Sequence, residues 1–249
     1  ADIFCKKTFG QDYFNRKGWE HILRVHGGRL PIRIKAVQEG TLVNERNVLM
    51  SIENTDPEVP FITNLVETIL MKVWYPTSVA TLSFMIKENI KYFANITGEV
   101  VSPFHLNDFG YRGVSSEESA GIGGAAHLVN FFGTDTEAGV LCAMDYYNAD
   151  VCGYSVMAAE HSTVTAYGRE NEELAYKSFI ERCPENALLS IVCDSYDTIN
   201  AVDNIFGKHL KDLILSRSGK IVVRPDSGNP VKVSLQVLEL LWNNFGGTI

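Results

Sequence analysis

LLSIVCDSYD at residues 188–197 and IVVRPDSG at 221–228 are the two stretches whose reading decides the fold. Each is a short apolar run without polar alternation that stops abruptly at charged residues, Asp194 in the first and Arg224 with Asp226 in the second. Runs that are apolar on both faces are what parallel strands covered by helices require, because neither face meets water. Three earlier stretches share this form. HLNDFGYRG at 105–113 carries Asp108, Phe109 and Arg112, LVNFFGTDT at 128–136 carries Asp135, and GYSVMAAEHS at 153–162 carries Glu160 and His161. The intervals between Asp108, Asp135, His161, Asp194 and Asp226 run 27, 26, 33 and 32 residues, the length of one strand-helix unit. Helix-like segments fill them: EAGVLCAMDYY, ENEELAYKSFIERC, INAVDNIFGKHLKDLIL and VSLQVLELLWNNF. Repeated β-then-α units with polar side chains at the carboxyl ends of the strands belong to an α/β barrel or an open doubly wound sheet. Five successive reactive strand ends favour the barrel, since an open sheet gathers its ligand at one switch point. Five units do not close an eight-stranded ring, so residues 101–249 are expected to be the first five βα units of an irregular (β/α) barrel, truncated at the C-terminus.

Residues 1–100 read differently, as a helix plus a portion of a β-rich domain. DYFNRKGWEHILRVH at 12–26 spaces Phe14, Trp19, Ile22, Leu23 and His26 as a helix does, with Gly27 and Gly28 as the stop. Leu30 to Val37, Thr41 to Val43 and Val48 to Ile52 are strand-type runs separated by turn signals, which predicts a small antiparallel sheet. Helical periodicity resumes through Phe61, Leu65, Ile69 and Val73, stops at Pro76, and restarts through Val79, Leu82, Ile86 and Ile90.

Charge and cysteine usage exclude several classes. With 22 basic against 30 acidic residues the net charge is -8, which argues against nucleic-acid or membrane-surface binding and leaves a small anionic substrate held by a few arginines. The five cysteines form no CxxC pair, so they are read as packing residues in a reducing, cytoplasmic setting. No unbroken apolar run approaches the roughly 18 residues of a membrane span, and the opening ADIFCKKTFGQDYF lacks the order of a signal peptide. That opening also lacks an initiator Met, so a piece of a longer protein is expected.

RPDSG puts a cation and a carboxylate on one tight turn. Arg224 can fork onto phosphate oxygens while Asp226 accepts from ribose hydroxyls or holds a metal ion; a salt bridge closing the turn is the plainer alternative. His161 is either a catalyst at a strand end or a satisfied core histidine. A hydrolase built on Ser155, His161 and Asp194 is excluded, because GYSVM is not the GxSxG elbow. Asp194 and Asp197 read as a metal pair or as a helix N-cap, with the cap favoured for Asp197. GIGGAA at 121–126 lacks the preceding strand of a dinucleotide fingerprint, which leaves close helix packing or a backbone approach to ligand.

DFGYRGVSS, HLVNFFGTDT, GYSVMAAEHST, CDSYD and RPDSGNP follow one another in this order, preceded by FNRKGWEHIL, LPIRIKAVQEG, ENTDPE and WYPTSVAT. Together they resemble the nicotinamide phosphoribosyltransferases, type II phosphoribosyltransferases, over nearly the whole chain. The resemblance implies a homodimer with active sites at the subunit interface, joining nicotinamide to phosphoribosyl pyrophosphate with ATP as a coupled substrate and Mg²⁺ on the pyrophosphate groups. By resemblance Phe109 stacks on the pyridine ring, Arg112 lies beside the amide, and Asp135 binds the amide nitrogen. His161 is the histidine phosphorylated by ATP and Asp194 its carboxylate partner, while Arg224 and Asp226 serve the ring, phosphate and ribose. No direct metal ligand is assigned. Asn107 departs from a histidine common in the family. The phosphate-binding glycine loops are expected beyond Ile249, and the partner's stacking aromatic before Ala1, so the piece alone is expected to be inactive. Nicotinate phosphoribosyltransferase and a non-catalytic binding or signalling protein on the same fold are the rival readings.

Overall fold

The computed structural model describes residues 2–247. Contacts gather the chain into two compact units, divided in sequence between Tyr154 and Ser155. The change of character expected at 100/101 falls inside the first unit, where helices from either side of it pack on one another.

The first unit begins with α1 (Asp2–Phe9) and α2 (Arg16–His26). Asn15 caps α2 by accepting from Gly18 N, and Gly27, the expected stop, ends it at φ 60°. Strands β1 (Ile32–Ala36) and β2 (Met50–Asn54) pair antiparallel with Ile34 opposite Ile52. The third expected strand, Thr41 to Val43, does not form. Those residues lie in an exposed link in which Gly40 and Arg46 adopt positive φ, and the β-rich part therefore reduces to two strands. Ile22, Val59, Ile62 and Val66 form the small core between α2, the sheet and α3 (Ile62–Leu70). A single 3-10 turn, Met71–Val73, leads into α4 (Trp74–Thr97). Pro76, expected to break the helix, sits in the first turn of α4, directly after the 3-10 turn, and helical backbone continues through it.

Helical backbone from Ile62 to Thr97 reaches a mean hydropathy of 1.3 over 18 residues, long and apolar enough by length and composition to cross a membrane. Part of α4 is engaged by protein. Ser83 meets His127, Lys87 Nζ donates to Asn130 O at 2.7 Å, and Asn130 Nδ2 donates back to Ala80 O at 2.9 Å.

β3 (Asn107–Asp108) pairs in parallel with β4 (Gly133–Thr134), and α5 (Glu117–Leu128) connects them. LVNFF does not form the expected strand: Leu128 closes α5, and the strand starts only at Gly133. α6 (Glu137–Tyr147) packs on α5 through the GIGGAA glycines. A Cβ at Gly124 would meet Gly139 Cα at 2.8 Å, and one at Gly139 would meet Gly124 Cα at 2.6 Å. The glycine run thus serves close helix packing.

In the second unit β5 (Met157–Ala158), β6 (Leu189–Val192) and β7 (Ile221–Arg224) form a parallel sheet with β6 in the middle. Short α7 (His161–Thr165) and α8 (Glu172–Arg182) lie between β5 and β6. One turn of helix, α9 (Thr198–Asn200), continues as a π-helix, Ala201–His209, and α10 (Lys211–Leu215) before β7; α11 (Pro230–Phe245) follows it. All four β6 residues are buried, beside Tyr176, Phe206, Val202 and Val237. The parallel βα repeat is as expected, but no closed barrel forms among the described residues. The parallel strands fall into sheets of two and three, too few to close a ring on themselves.

Gly139→Ala is expected to destabilise the full-length chain by about 1–3 kcal/mol, the usual effect of overpacking. Gly113→Ala, where a Cβ meets nothing within 4 Å, should change stability by less than about 0.5 kcal/mol. Urea midpoints of the two variants check the contrast.

Candidate active site

Asn107 and Asp135 meet because β3 and β4 run parallel. The register sets Asp108 beside Thr134, and the next residue, Asp135, donates its backbone N–H to Asp108 O at 2.8 Å. The Asn107 side chain then donates to Asp135 Oδ1 at 3.0 Å. Asp108 turns its own carboxylate back, accepting from Gly110 N at 2.7 Å, and so shapes the turn that carries Phe109. Phe109 is half exposed, and Arg112 follows in a 3-10 turn, Tyr111–Gly113. The first unit therefore presents an aromatic face, a guanidinium and a carboxylate on the loops after two neighbouring strands.

His127 stands behind this group and was not singled out by its sequence. It is buried, stacked on Phe131, with Nε2 2.9 Å from Gly133 O and Nδ1 3.2 Å from Ser83 Oγ. A carbonyl oxygen can only accept, so Nε2 carries a proton and donates it to Gly133 O. Through this bond and the contact with Ser83 the ring clamps the start of β4 to α4.

In the second unit the strand ends bring together a different set. His161 is the first residue of α7 and lies 41% exposed, whereas the Asp194 side chain just after β6 is only 4% exposed; His161 Nε2 is 2.9 Å from Asp194 Oδ1. Burial works against the charge on Asp194. Hydrogen bonds from Ser227 and His161, with the charge of His161, outweigh it and hold the carboxyl below its ordinary pKa. Ser227 belongs to RPDSG, where the charged neighbours carry the sequence signal. Arg224, at the end of β7, donates through Nη2 to Ala159 O at 3.0 Å, tying two strand ends together. Asp226 is exposed on the following turn. Asp197 caps α9 by accepting from Asn200 N, as the favoured reading had it. Burial pushes the Cys193 thiol up to about 12, so it packs and does not react.

Residues 104–249 match the nicotinate phosphoribosyltransferase (NAPRTase) family. The chain belongs to that family. Among relatives in sequence, the nicotinamide phosphoribosyltransferase of Xanthomonas campestris pv. campestris (strain 8004) is 47% identical over 237 residues, covering 94% of this chain and 51% of the relative. Those of Acinetobacter baylyi and Mycoplasma pneumoniae are each 35% identical, covering 92% and 97% of this chain and 50% and 56% of their own lengths. The chain spans about half the length of these relatives.

A carboxyl group with a depressed pKa adds stability that is present above its unfolded value, near 3.9, and lost as pH falls through the folded one. Ser227→Ala removes a bond that favours the charged form of Asp194, so the folded pKa rises and this contribution shrinks. The acid limb of the melting-temperature profile should then steepen less below pH 5 than in the parent, and Asp194→Asn should flatten it further.

Proposed function

We propose that the full-length protein containing this chain joins nicotinamide to phosphoribosyl pyrophosphate, forming nicotinamide mononucleotide and pyrophosphate in NAD salvage. The observation that carries the reading is 47% identity along 94% of the chain to a relative named for that activity. The chemistry of the strand ends supports it. The pyridine nitrogen already has a lone pair, so no general base is required. Positioning and stabilisation of positive charge at the anomeric carbon supply the rate as pyrophosphate leaves.

In this reading Phe109 stacks on the ring, Arg112 lies at the carboxamide, and Asp135 accepts from the amide NH₂. Arg224 and Asp226 address phosphate and ribose. Exposed Asp226, beside Arg224, would hold Mg²⁺ together with the substrate phosphates, and the ion would there neutralise charge on the leaving pyrophosphate. ATP acts through His161. With Nε2–H donated to Asp194, the lone pair of Nδ1 attacks the γ-phosphorus; an N–P bond forms as the bond to the β-phosphate oxygen breaks, and ADP leaves. Asp194 then balances the charge of the ring. We place the protein in the cytoplasm as a homodimer that shares its active sites.

The family description names nicotinate, which makes nicotinate phosphoribosyltransferase the second reading. Asp135 favours nicotinamide, since a carboxylate faces a carboxylate when nicotinate binds. The full-length chain should form mononucleotide from nicotinamide with the higher kcat/KM, and the reverse preference would transfer the assignment to the second reading. Asp135→Asn removes the repulsion and should raise nicotinate relative to nicotinamide at least about tenfold in kcat/KM, a change of about 1.4 kcal/mol. Competing-substrate kinetics read that ratio directly. His161→Ala is expected to keep part of the basal transfer and lose the ATP enhancement, measured as mononucleotide formed with and without ATP.

A further inference from the structure

Asp56, on the turn between β2 and α3, faces two histidines of α2. Its Oδ2 lies 2.8 Å from His21 Nε2 and 2.7 Å from His26 Nε2. These three atoms all lie within 4.8 Å of one another, and the imidazole rings stand 6.0 Å apart at 63°. Local sequence explains the convergence. His26 is the last residue of α2 before Gly27 turns the chain away, and Asn54 Oδ1 accepts from Asp56 N at 3.2 Å, setting the carboxylate toward the helix. Asp56 Oδ1 accepts from Glu58 N at 3.0 Å, so one oxygen is oriented and the other points at both rings.

Two imidazoles on a single carboxylate oxygen exceed what a helix clamp needs, since one histidine would fix α2 to the turn. We propose that His21, His26 and Asp56 form a three-ligand site for a divalent transition-metal ion of the zinc class, with a fourth position open to water. Bonds of about 2.0–2.2 Å at tetrahedral angles set neighbouring donors roughly 3.3 Å apart. The N–O separations of 2.7 and 2.8 Å need open only slightly to admit an ion. Imidazole with carboxylate selects zinc, cobalt, nickel or copper over magnesium and calcium. The Glu58 amide orients the carboxylate as outer-shell bonds do around metal ligands. The side chains of His21 and His26 are 22% and 29% exposed, which leaves solvent a path to the ion. Such an ion would join α2 to a turn 30 to 35 residues away and stabilise the chain by binding only its folded form.

The full-length chain, free of any polyhistidine tag and stripped with a chelator, is titrated with Co²⁺ and then Zn²⁺. One equivalent of Co²⁺ should give the intense visible bands of a four- or five-coordinate site, which Zn²⁺ abolishes while raising the melting temperature. His21→Gln and His26→Gln keep an amide donor for Asp56 and hence the clamp. Each should weaken binding at least tenfold, and the double variant should lose both the bands and the zinc-dependent rise. Absence of bands in the parent, or their persistence in a folded double variant, overturns the proposal.

Discussion

A carboxylate taken almost wholly out of water must be given back its hydrogen bonds, and the Asp194 side chain lies under this constraint. At 4% exposure the side chain cannot rely on solvent, so the strand end is arranged to supply donors. His161 must stand at the start of α7 and Ser227 on the turn after β7 for the charge to survive burial. Arg224 bonded to Ala159 O holds the same strand ends in register from the other side. The residue proposed as the partner of His161 also organises the sheet end. Replacing Asp194 is therefore a structural act as well as a chemical one.

In the first unit, α5 and α6 rest on a contact of a different kind, made without charge. Gly124 and Gly139 let two helix backbones approach as closely as chain atoms allow, and any side chain there would separate them. α6 is thereby fixed one residue after Thr136, and Asp135 lies just before it. His127 fixes the other side of β4 through the bond from its Nε2 to Gly133 O. Asn107 then reaches Asp135, so the side chain at the unusual position becomes a partner of the proposed selectivity residue.

Much of this was legible, and the failures have particular causes. LSIV and IVVR are apolar on both faces and became parallel strands, while EAGVLCAMDYY became α6 residue for residue. LVNFF misled because a helix end whose Phe131 stacks on His127 reads like a short buried strand; periodicity cannot separate them over five residues. TLV at 41–43 had strand composition and no partner to pair with, and pairing is not written in composition. Pro76 was read as a break because its offset from the helix start was unknown. Among site residues, the charged and aromatic ones announce themselves. Ser227 and His127 do not, since a hydroxyl or a lone histidine in an apolar helix becomes informative only once its neighbours are known.

β6 is bonded on both sides through Leu189 and Ser190, while β5 and β7 each have one strand neighbour in their sheet. Backbone amides of the middle strand can reach solvent only if the sheet itself opens, so their exchange with deuterium should be governed by unfolding of the whole unit, whereas turn amides such as those at Ser227 and Gly228 escape by local motion. The charged groups that follow these strands differ as well. Asp194 stands two residues past the last bonded pair of the strand that is paired on both sides, and is held there by Ser227 and His161; Asp226 stands on an exposed turn after β7, which among the described residues pairs with β6 alone. Two carboxylates that look alike in the sequence thus occupy a held position and an exposed one.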